Sequence, residues 1–549
     1  MRETPIEREV QDPGSSSPRL QRFPGRRRLH STALGLGLLC LGPLMLAVPG
    51  QARAASSEIG PSDDLRAALN GLTPGDELVL RAGTYDLDFR LAITLNGTAA
   101  MPIVIRAKDG ETPVLTHDPS QNVINIESSS YLTLRGLEVT GGGHGIRIQD
   151  SDFITIEDCH VHDTPEVAIS ANFEGSSYEG LRFLHNHVHH TGGTGEGFYL
   201  GCNDAKCVMF DSVIEGNYIH DTKEGVSQGD GIEVKQGSYG NLIKDNVIHD
   251  TGYPCIIVYG TQGKAVNTIE GNAMWNCGDH GIQAASDAVI VNNLILGAAS
   301  NGIHDQVHQG ATPGNLTILH NTIVVANDAI RTNDIAAPVL IANNALYSSG
   351  GYAIRLSGDT SQASISGNVG TGNFTGGSSG FDGSGARATD FVDAAKDDVF
   401  PAVGSRLIGA GDSAHTLPDD FNGTARAASS VDVGAYAYDA SGNPGWPVGP
   451  GFKQGGAAGS GGSNGGSGGS GNGSANGGGS GASPSSGGSN ASGATGGSAG
   501  TSSAGDDDSG CACSVPRGAG SRSSLYLALG LALAAGWRRR RAARQRSNG

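Results

Sequence analysis

Asp230, Glu233 and Lys235 lie within six residues of one another, in the segment Gly-Asp-Gly-Ile-Glu-Val-Lys. Carboxylates are ligands that Ca²⁺ prefers, so acidic loops of this chain could bind calcium. A lysine can act as a general base where burial or a cationic neighbour lowers its pKa toward the working pH. From the residues alone, Lys235 could take part in such chemistry or could be a surface lysine that only pairs with Glu233.

A histidine motif recurs in the same part of the chain. Its four copies are HVHDT at 160–164, HVHHT at 187–191, YIHDT at 218–222 and VIHDT at 247–251. If the copies stack, His162, His189, His220 and His249 form one column, with His160 and His187 beside it. Stacked imidazoles could chelate copper or zinc. The alternative is a neutral ladder in which each histidine bonds the adjacent aspartate at a turn.

The cysteines of the central region could form disulfides, because the predicted export signal would bring the chain to an oxidising compartment. Cys202 and Cys207 are five residues apart, and we expect them to close a loop through a disulfide. Cys255 and Cys277, which are 22 residues apart, are compatible with a second bridge. Cys159 occupies a position that asparagine takes elsewhere, and we expect it to be a small buried residue.

An internal repeat of 21–31 residues organises the chain from about 120 to 370. Its first marker is an asparagine in an apolar-x-x-Asn-x-apolar pattern, at Asn186, Asn217, Asn246, Asn272, Asn293, Asn321 and Asn344, with a partial copy at Asn368. Its second marker is Gly-Ile or a close variant, with Phe198-Tyr199 in the same place of one copy. Short alternating strands at this period predict an all-β parallel solenoid of about ten coils, with stacked asparagines at one turn.

The strand after each Gly-Ile marker presents alternate residues outward. The polar members of the first outward column are Arg147, Ser170, Glu233, Gln283, His304, Arg331 and Arg355. We predict that this column binds an extended polysaccharide, with Tyr259 beside Lys235. In the copy at Phe198-Tyr199 the same rule places Leu200 in the column.

The two ends of the chain carry different compositions from the middle. Residues 1–54 contain an Arg-rich stretch, an apolar run and Ala-Arg-Ala, which together predict a signal peptide with a leader. Residues 55–445 form the solenoid domain. Residues 446–508 are rich in Gly and Ser and predict a disordered linker. Residues 509–549 combine Cys511 and Cys513 with a short apolar helix and four consecutive arginines.

The charge distribution excludes nucleic acid as a partner. The chain has a net charge of −18, and between the Arg-rich ends, 1–54 and 511–549, it carries 20 basic against 50 acidic residues. Phosphate binding needs clustered Lys and Arg, which that region lacks. An acidic body suits an exported protein, and we expect a monomer.

Residues 120–370 resemble the right-handed parallel β-helix family with the pectin-lyase-like fold. Pro74-Gly75-Asp76, Gly83-Thr84-Tyr85 and Pro102-Ile103 are similar to the N-terminal coils of alginate and chondroitin lyases of that fold. A short helix over 63–72, with Asp63 or Ser62 as its N-cap, is expected to cover the open end of the solenoid.

The resemblance implies a catalytic role for Lys235. In those lyases a lysine at such a position removes the proton next to a uronate carboxylate, and Ca²⁺ held by acids neutralises that carboxylate. Asp230 and Glu233 are the nearest candidate ligands here, with Glu196 one coil earlier. Those enzymes also place an arginine on the next coil, which this chain lacks, so Tyr259 is a candidate general acid.

The C-terminal 509–549 segment resembles a myxobacterial sorting tail (MYXO-CTERM). That resemblance implies cleavage by a sorting protease, lipid attachment at Cys511 or Cys513, and anchoring at the outer-membrane surface; a simple membrane anchor is the alternative.

We therefore predict a surface-displayed lyase that cleaves uronate-containing polysaccharide. A non-catalytic carbohydrate-binding or adhesive protein, or a copper- or zinc-binding β-helix, are alternatives on the same scaffold.

Overall fold

The computed structural model describes residues 54–222 and 225–443. The signal peptide, the linker and the tail with Cys511 and Cys513 lie outside the described residues. Within the described part of the chain, no helix is long and apolar enough to cross a membrane.

The described chain winds into a parallel β-solenoid whose coils contribute one strand to each of three rows. The first row is a 13-stranded sheet. Its strands are Ser56–Ile59, Glu77–Leu80, Ile103–Ala107, Ser130–Arg135, Asp152–Glu157, Arg182–Leu184, Val213–Glu215, Leu242–Lys244, Asn267–Glu270, Ala288–Val291, Leu316–Leu319, Val339–Ala342 and Ala363–Ser366. Ten of these begin between residues 120 and 370, which confirms the predicted number of coils.

The second and third rows join through one long strand, Ala345–Gly358. The second row comprises Gly83–Asp86, Pro113–His117, Glu138–Gly141, His160–Thr164, His187–Thr191, Tyr218–Thr222, Val247–Thr251, Ala273–Cys277, Leu294–Ala298, Thr322–Val325, the start of Ala345–Gly358, Asn368–Thr375 and Phe381–Asp382. The third row comprises Leu91–Ile93, Ile124–Glu127, Ile146–Gln149, Ile169–Ala171, Phe198–Leu200, Ile232–Val234, Ile256–Val258, Ile282–Ala284, Ile303–Asp305, Ile330–Ile335 and the end of Ala345–Gly358.

Few other elements occur in the described residues. The remaining strands are Ser177–Glu179 paired with Val208–Phe210, and Phe391–Asp393 paired with Asp398–Pro401. The helices are Leu65–Asn70 and Arg387–Asp390, with 3-10 turns at Asn203–Ala205, Thr360–Gln362, Ala394–Lys396 and Ser413–His415.

The interior is a stack of apolar columns lined by an asparagine ladder. Ile232, Ile256 and Ile282 are in register on successive coils and fully buried. At the turn between the first and second rows, the backbone N–H and the Nδ2 of Asn217 both donate to Oδ1 of Asn246 on the next coil, at 3.0 and 2.9 Å. The same pattern continues to Asn368, as predicted. It satisfies the polar groups of a turn that would otherwise be buried without partners.

Two predictions about the edges of this interior have different outcomes. The backbone N–H of Cys159 donates to Oδ1 of Asn186 at 3.0 Å, so the buried, unbridged cysteine begins the ladder as predicted.

The N-terminal helix is Leu65–Asn70, with Leu65 and Leu69 packed on the core. Its N-cap is Asp64, whose side chain accepts from the Ala67 N–H at 2.9 Å, so the prediction of Asp63 or Ser62 is wrong. Asp63 accepts instead from the Gly60 N–H, 2.7 Å away.

The C-terminal segment covers part of the outward face of the second row. Phe400, Phe421 and Tyr436 form an apolar cluster with Leu294 and Tyr347 of that row. On earlier coils the same outward columns carry histidines instead. The second row thus changes along its length from a half-exposed polar face to an apolar face that the chain itself covers.

Candidate active site

The third row and the turns before it bring together the predicted ionisable residues. Ile232 and Val234 face the core, so Glu233 and Lys235 face the other side of the strand. Asp230 precedes this strand, and Glu196 precedes the neighbouring strand Phe198–Leu200. All four polar side chains are buried, and Lys235 is only 4% exposed.

Three carboxylate oxygens in this cluster have no hydrogen-bond partner although they are buried. They are Oε1 of Glu196, Oδ1 of Asp230 and Oε2 of Glu233. Ligand atoms of the three residues lie within 4.8 Å of one another. Because Ca²⁺–O distances are about 2.3–2.6 Å, oxygens on one ion lie at most about 5 Å apart. The predicted ligand set therefore fits a calcium ion both in chemistry and in spacing.

The carboxylates of this cluster repel one another. Burial, followed by the charges of Glu233 and Glu196, raises the pKa of Asp230 well above its usual range. Burial also raises the pKa of Glu196. A cation would relieve both the repulsion and the loss of hydration, as expected where acidic groups are gathered for a ligand.

Lys235 is held by one carboxylate and two aromatic rings. Its Nζ donates to Oε1 of Glu233 and lies 4.5 Å from the ring centre of Tyr199 and 5.3 Å from that of Tyr259. Burial acts to lower the pKa of Lys235, but Glu233 and Tyr199 outweigh it, so the pKa lies above its ordinary value. The expected lowering is wrong for this arrangement. The alternative pairing with Glu233 is present, but the pair is buried and does not lie on the surface.

Tyr259 also engages Glu233. Its hydroxyl donates to the same Oε1 at 2.9 Å. Burial and then the charges of Glu233 and Asp230 raise the pKa of Tyr259, so its hydroxyl keeps its proton at neutral pH. Because the raised pKa makes this hydroxyl a weaker acid than an ordinary tyrosine, the general-acid role of Tyr259 stays a prediction.

Two loops meet beside Lys235. The Cys202–Cys207 disulfide closes one of them, as predicted, and Cys255–Cys277 forms a second bridge. The other loop, residues 306–312, belongs to a coil three further along the solenoid than that of Lys235. Its Gln309 Nε2 donates to Oδ1 of Asn203 at 3.0 Å. His308 of this loop stacks on Tyr259 with ring centres 5.0 Å apart. We call residues 306–312 the covering loop.

The other predicted residues form one register column on the third row. Arg147 and Glu233 lie in this column, followed on later coils by Gln283, His304, Arg331 and Arg355. Gln283 and His304 are buried, whereas Arg355 is exposed and lies 3.6 Å from Asp328. The structure therefore aligns them as predicted, but only part of the column is open to a ligand; their binding role stays a prediction.

One residue of the site escaped the sequence argument. Tyr199, not Leu200, pairs with Glu233 and occupies the outward column, while Leu200 is buried in the core. The assignment is wrong by one residue because Phe198 takes the inward place of isoleucine in this coil. Aligning Gly197-Phe198 with Gly231-Ile232 would have found Tyr199.

Comparisons with known proteins agree with this architecture. The model of a Pel9A-like, right handed beta helix region matches residues 44–217, and that of a right handed beta helix region matches residues 172–334. The chain is 23% identical over 310 residues to the pectate lyase PEL9 of Emericella nidulans, covering 50% of this chain and 70% of that protein.

Solved structures with similar coordinates carry lyase names as well. The crystal structure of pectate lyase Pel9A is 18% identical in sequence, with a TM-score of 0.46. The match covers 71% of this chain and 98% of the Pel9A chain. The structure of the PL6 family alginate lyase AlyGC is 16% identical in sequence, with a TM-score of 0.35. The match covers 60% of this chain and 53% of the AlyGC chain. From its strand rows and the two models of right-handed β-helix regions, the described chain is a right-handed parallel β-helix.

Proposed function

We propose that this protein is an exported polysaccharide lyase that cleaves a uronate-containing polymer by β-elimination, with Lys235 as the general base. The observation that carries the proposal is the buried lysine beside three carboxylates with unpartnered oxygens. The similarity to a pectate lyase of Emericella nidulans supports the reaction class.

Each residue of the cluster has a role in this reaction. Neutral Lys235 takes the proton from the carbon next to the uronate carboxylate, and the electron pair left behind forms a carbon–carbon double bond. The bond from the neighbouring carbon to the glycosidic oxygen breaks, and that oxygen takes a proton from Tyr259 or from water. Tyr199, whose ring lies against Nζ, positions the lysine.

Glu196, Asp230 and Glu233 are the residues that would hold Ca²⁺. A bound ion would neutralise the substrate carboxylate, making the adjacent proton more acidic, and would offset the negative charge that now raises the pKa of Lys235. The acidic body makes such neutralisation necessary, because a polyanion is otherwise repelled.

Substrate access requires the covering loop to move. Lys235 is nearly fully buried, and His308 lies on the ring of Tyr259. Displacing the loop exposes Nζ, while in the open part of the column Arg331 and Arg355 already offer positive charge to the polymer. The loop would also exclude water once the polymer is bound.

The burial of Lys235 also favours a second function, non-catalytic glycan binding on the same column. One experiment separates the two. The purified chain is incubated with a panel of acidic polysaccharides in Ca²⁺, and the ultraviolet absorbance of the unsaturated product is followed. Product from at least one uronate polymer supports the lyase; binding of neutral glycans with no product from any polymer supports the binding module.

Surface anchoring through the C-terminal tail is a separate part of the proposal. It is supported by the order of Cys511, Cys513, the apolar run and the arginine cluster. Cys511→Ala combined with Cys513→Ala is expected to abolish labelling by a radioactive lipid and to release the body from the cell. Unchanged anchoring would favour a plain membrane helix.

A further inference from the structure

The outward face of the second row carries a continuous group of imidazoles, which we call the histidine ladder. Its members occupy four consecutive coils and are His160, His162, His187, His189, His220 and His249. His162, His189, His220 and His249 share one register column, as predicted. His160 and His187 share the next outward column.

Rings on neighbouring coils approach each other through their Nε2 atoms. His160 Nε2 lies 2.7 Å from His189 Nε2, and His187 Nε2 lies 2.8 Å from His220 Nε2. Ligand atoms lie within 4.8 Å of one another in two groups, His160 with His162 and His189, and His187 with His189 and His220. Nitrogens around a tetrahedral zinc ion lie about 3.4 Å apart, since Zn–N distances are about 2.0–2.1 Å, so small ring rotations suffice.

Aspartates fix the other nitrogen of most rings in the main column. Nδ1 of His162, His220 and His249 lies 2.7–2.8 Å from a carboxylate oxygen of the next residue. Because only a ring N–H can donate to a carboxylate, the proton of each neutral ring sits on Nδ1 and Nε2 carries the lone pair. In His220 that nitrogen lies 2.8 Å from His187 Nε2, and in His249 it accepts from the Tyr218 hydroxyl at 2.9 Å. A bound ion would replace these hydrogen bonds. Histidine ligands of metals have such carboxylate partners, which orient the ring and fix its tautomer. The structural ladder predicted from the sequence is therefore confirmed, and it prepares Nε2 for coordination.

A different side chain lies at each end of the histidine ladder. At one end Glu138 Oε1 lies 3.3 Å from His162 Nε2 and adds a carboxylate to the first group. At the other end Trp275 stacks on His249 with ring centres 4.4 Å apart. Beyond Trp275 the face becomes apolar and is covered by the C-terminal segment. The rings are half-buried, so solvent reaches them.

We propose that the histidine ladder binds one transition-metal ion, Zn²⁺ or Cu²⁺, through Nε2 atoms centred on His189. Imidazole nitrogen suits these ions and not Ca²⁺, so the ladder and the carboxylate cluster select different metals. The stoichiometry is one because His189 belongs to both groups and its Nδ1 faces His190, leaving one nitrogen to share. The ion joins neighbouring coils and strengthens the solenoid where the C-terminal segment does not cover it.

The test is isothermal titration of the purified full chain, free of any polyhistidine tag and stripped with chelator, with ZnCl₂ and separately with CuCl₂. We expect one ion per chain with a micromolar or tighter dissociation constant, and at least tenfold weaker binding in His189→Ala. His415→Ala, in the 3-10 turn Ser413–His415, is the matched control and should bind as the wild type does. His162→Ala and His220→Ala disrupt different groups and show which group holds the ion.

Nitrogen hyperfine splitting in the electron paramagnetic resonance spectrum of the Cu²⁺-loaded chain provides a readout independent of affinity. Three coupled nitrogens in the wild type and fewer in His189→Ala support the site. Equal titration curves for the wild type and His189→Ala would overturn it. If His189→Ala does not fold, the same comparison is made with His162→Ala and His220→Ala, and equal binding by both variants and the wild type overturns the proposal. Lyase activity of the wild type is measured in parallel. It tests the proposed function of Lys235 and is not a test of the metal site.

Discussion

The carboxylate cluster and the histidine ladder lie on the same coils but differ in how their polar atoms are satisfied. In the cluster, three buried oxygens lack partners and the charges repel one another. In the ladder, the rings bond to aspartates or to one another and are reached by solvent. A cluster of the first kind costs stability and persists for a ligand; one of the second kind is stable by itself and can bind an ion without depending on it. The two regions should therefore respond in opposite ways when a member is removed.

Among substitutions of the proposed metal-binding residues, Asp230→Asn should show the largest effects. Removing one of three crowded carboxylates is expected to weaken Ca²⁺ binding and lower uronate cleavage by on the order of 100-fold. In Ca²⁺-free buffer the same change should raise the melting temperature, because repulsion between buried carboxylates is relieved. Calorimetry, the absorbance assay and thermal unfolding measure the three effects. A fall in melting temperature without Ca²⁺ would contradict the ligand role.

Asp305→Asn is the matched control and also carries a pH prediction. Asp305 is fully buried inside the solenoid, and burial raises its pKa to about 7, while a hydrogen bond from Thr332 opposes the shift. Since the folded state holds this proton to higher pH than the unfolded chain does, the stability from Asp305 is present at pH 4 and is lost as the pH rises through 7.

The melting temperature of Asp305→Asn minus that of the wild type should therefore increase between pH 5 and pH 8. Ca²⁺ binding should be unchanged. On the other side of this strand, His304 lies near His280 and Arg331, which can also titrate or carry charge, so the comparison is made against the wild type at each pH. A constant difference across that range would show that Asp305 does not titrate there.

Gln309→Ala tests the covering loop. Losing the hydrogen bond to Asn203 removes about 0.5–1.5 kcal/mol that holds the loop over Lys235, so kcat/KM should rise up to about tenfold. Gln262→Ala, an exposed glutamine on a neighbouring loop, is the control. An unchanged kcat/KM would mean that opening of the loop does not limit access.

His189→Ala should have a small effect of the opposite sign to Asp230→Asn. Without metal, the loss of a ladder hydrogen bond and of ring stacking should destabilise the fold by about 1–2 kcal/mol. Chemical unfolding in the presence of chelator measures the change. A stabilised His189→Ala would show that the ladder, like the carboxylate cluster, is strained without an ion.

Much of the scaffold could be predicted, because the signals are local and repeated. The asparagine ladder and the inward isoleucines recur at the coil period. The same spacing places Glu196, Asp230 and Glu233 on neighbouring coils. The direction of the pKa shift of Lys235 depends on its distances to Glu233 and Tyr199, which spacing does not give. The covering loop could not be predicted, since Gln309 and Asn203 are 106 residues apart and no repeat relates them.

The most direct test of the central claim, that Lys235 is the base, compares Lys235→Ala and Lys235→Arg on a uronate polymer that the wild type cleaves. Arginine keeps the positive charge beside Glu233 but does not release its proton at working pH. Both variants should lose about 10²- to 10⁴-fold in the rate of double-bond formation while still binding the polymer. Lys264→Ala, which removes an exposed lysine lying 4.4 Å from the Tyr239 ring, should keep the full rate. A Lys235→Arg variant that retains the wild-type rate would show that the residue supplies only charge, and would contradict the account.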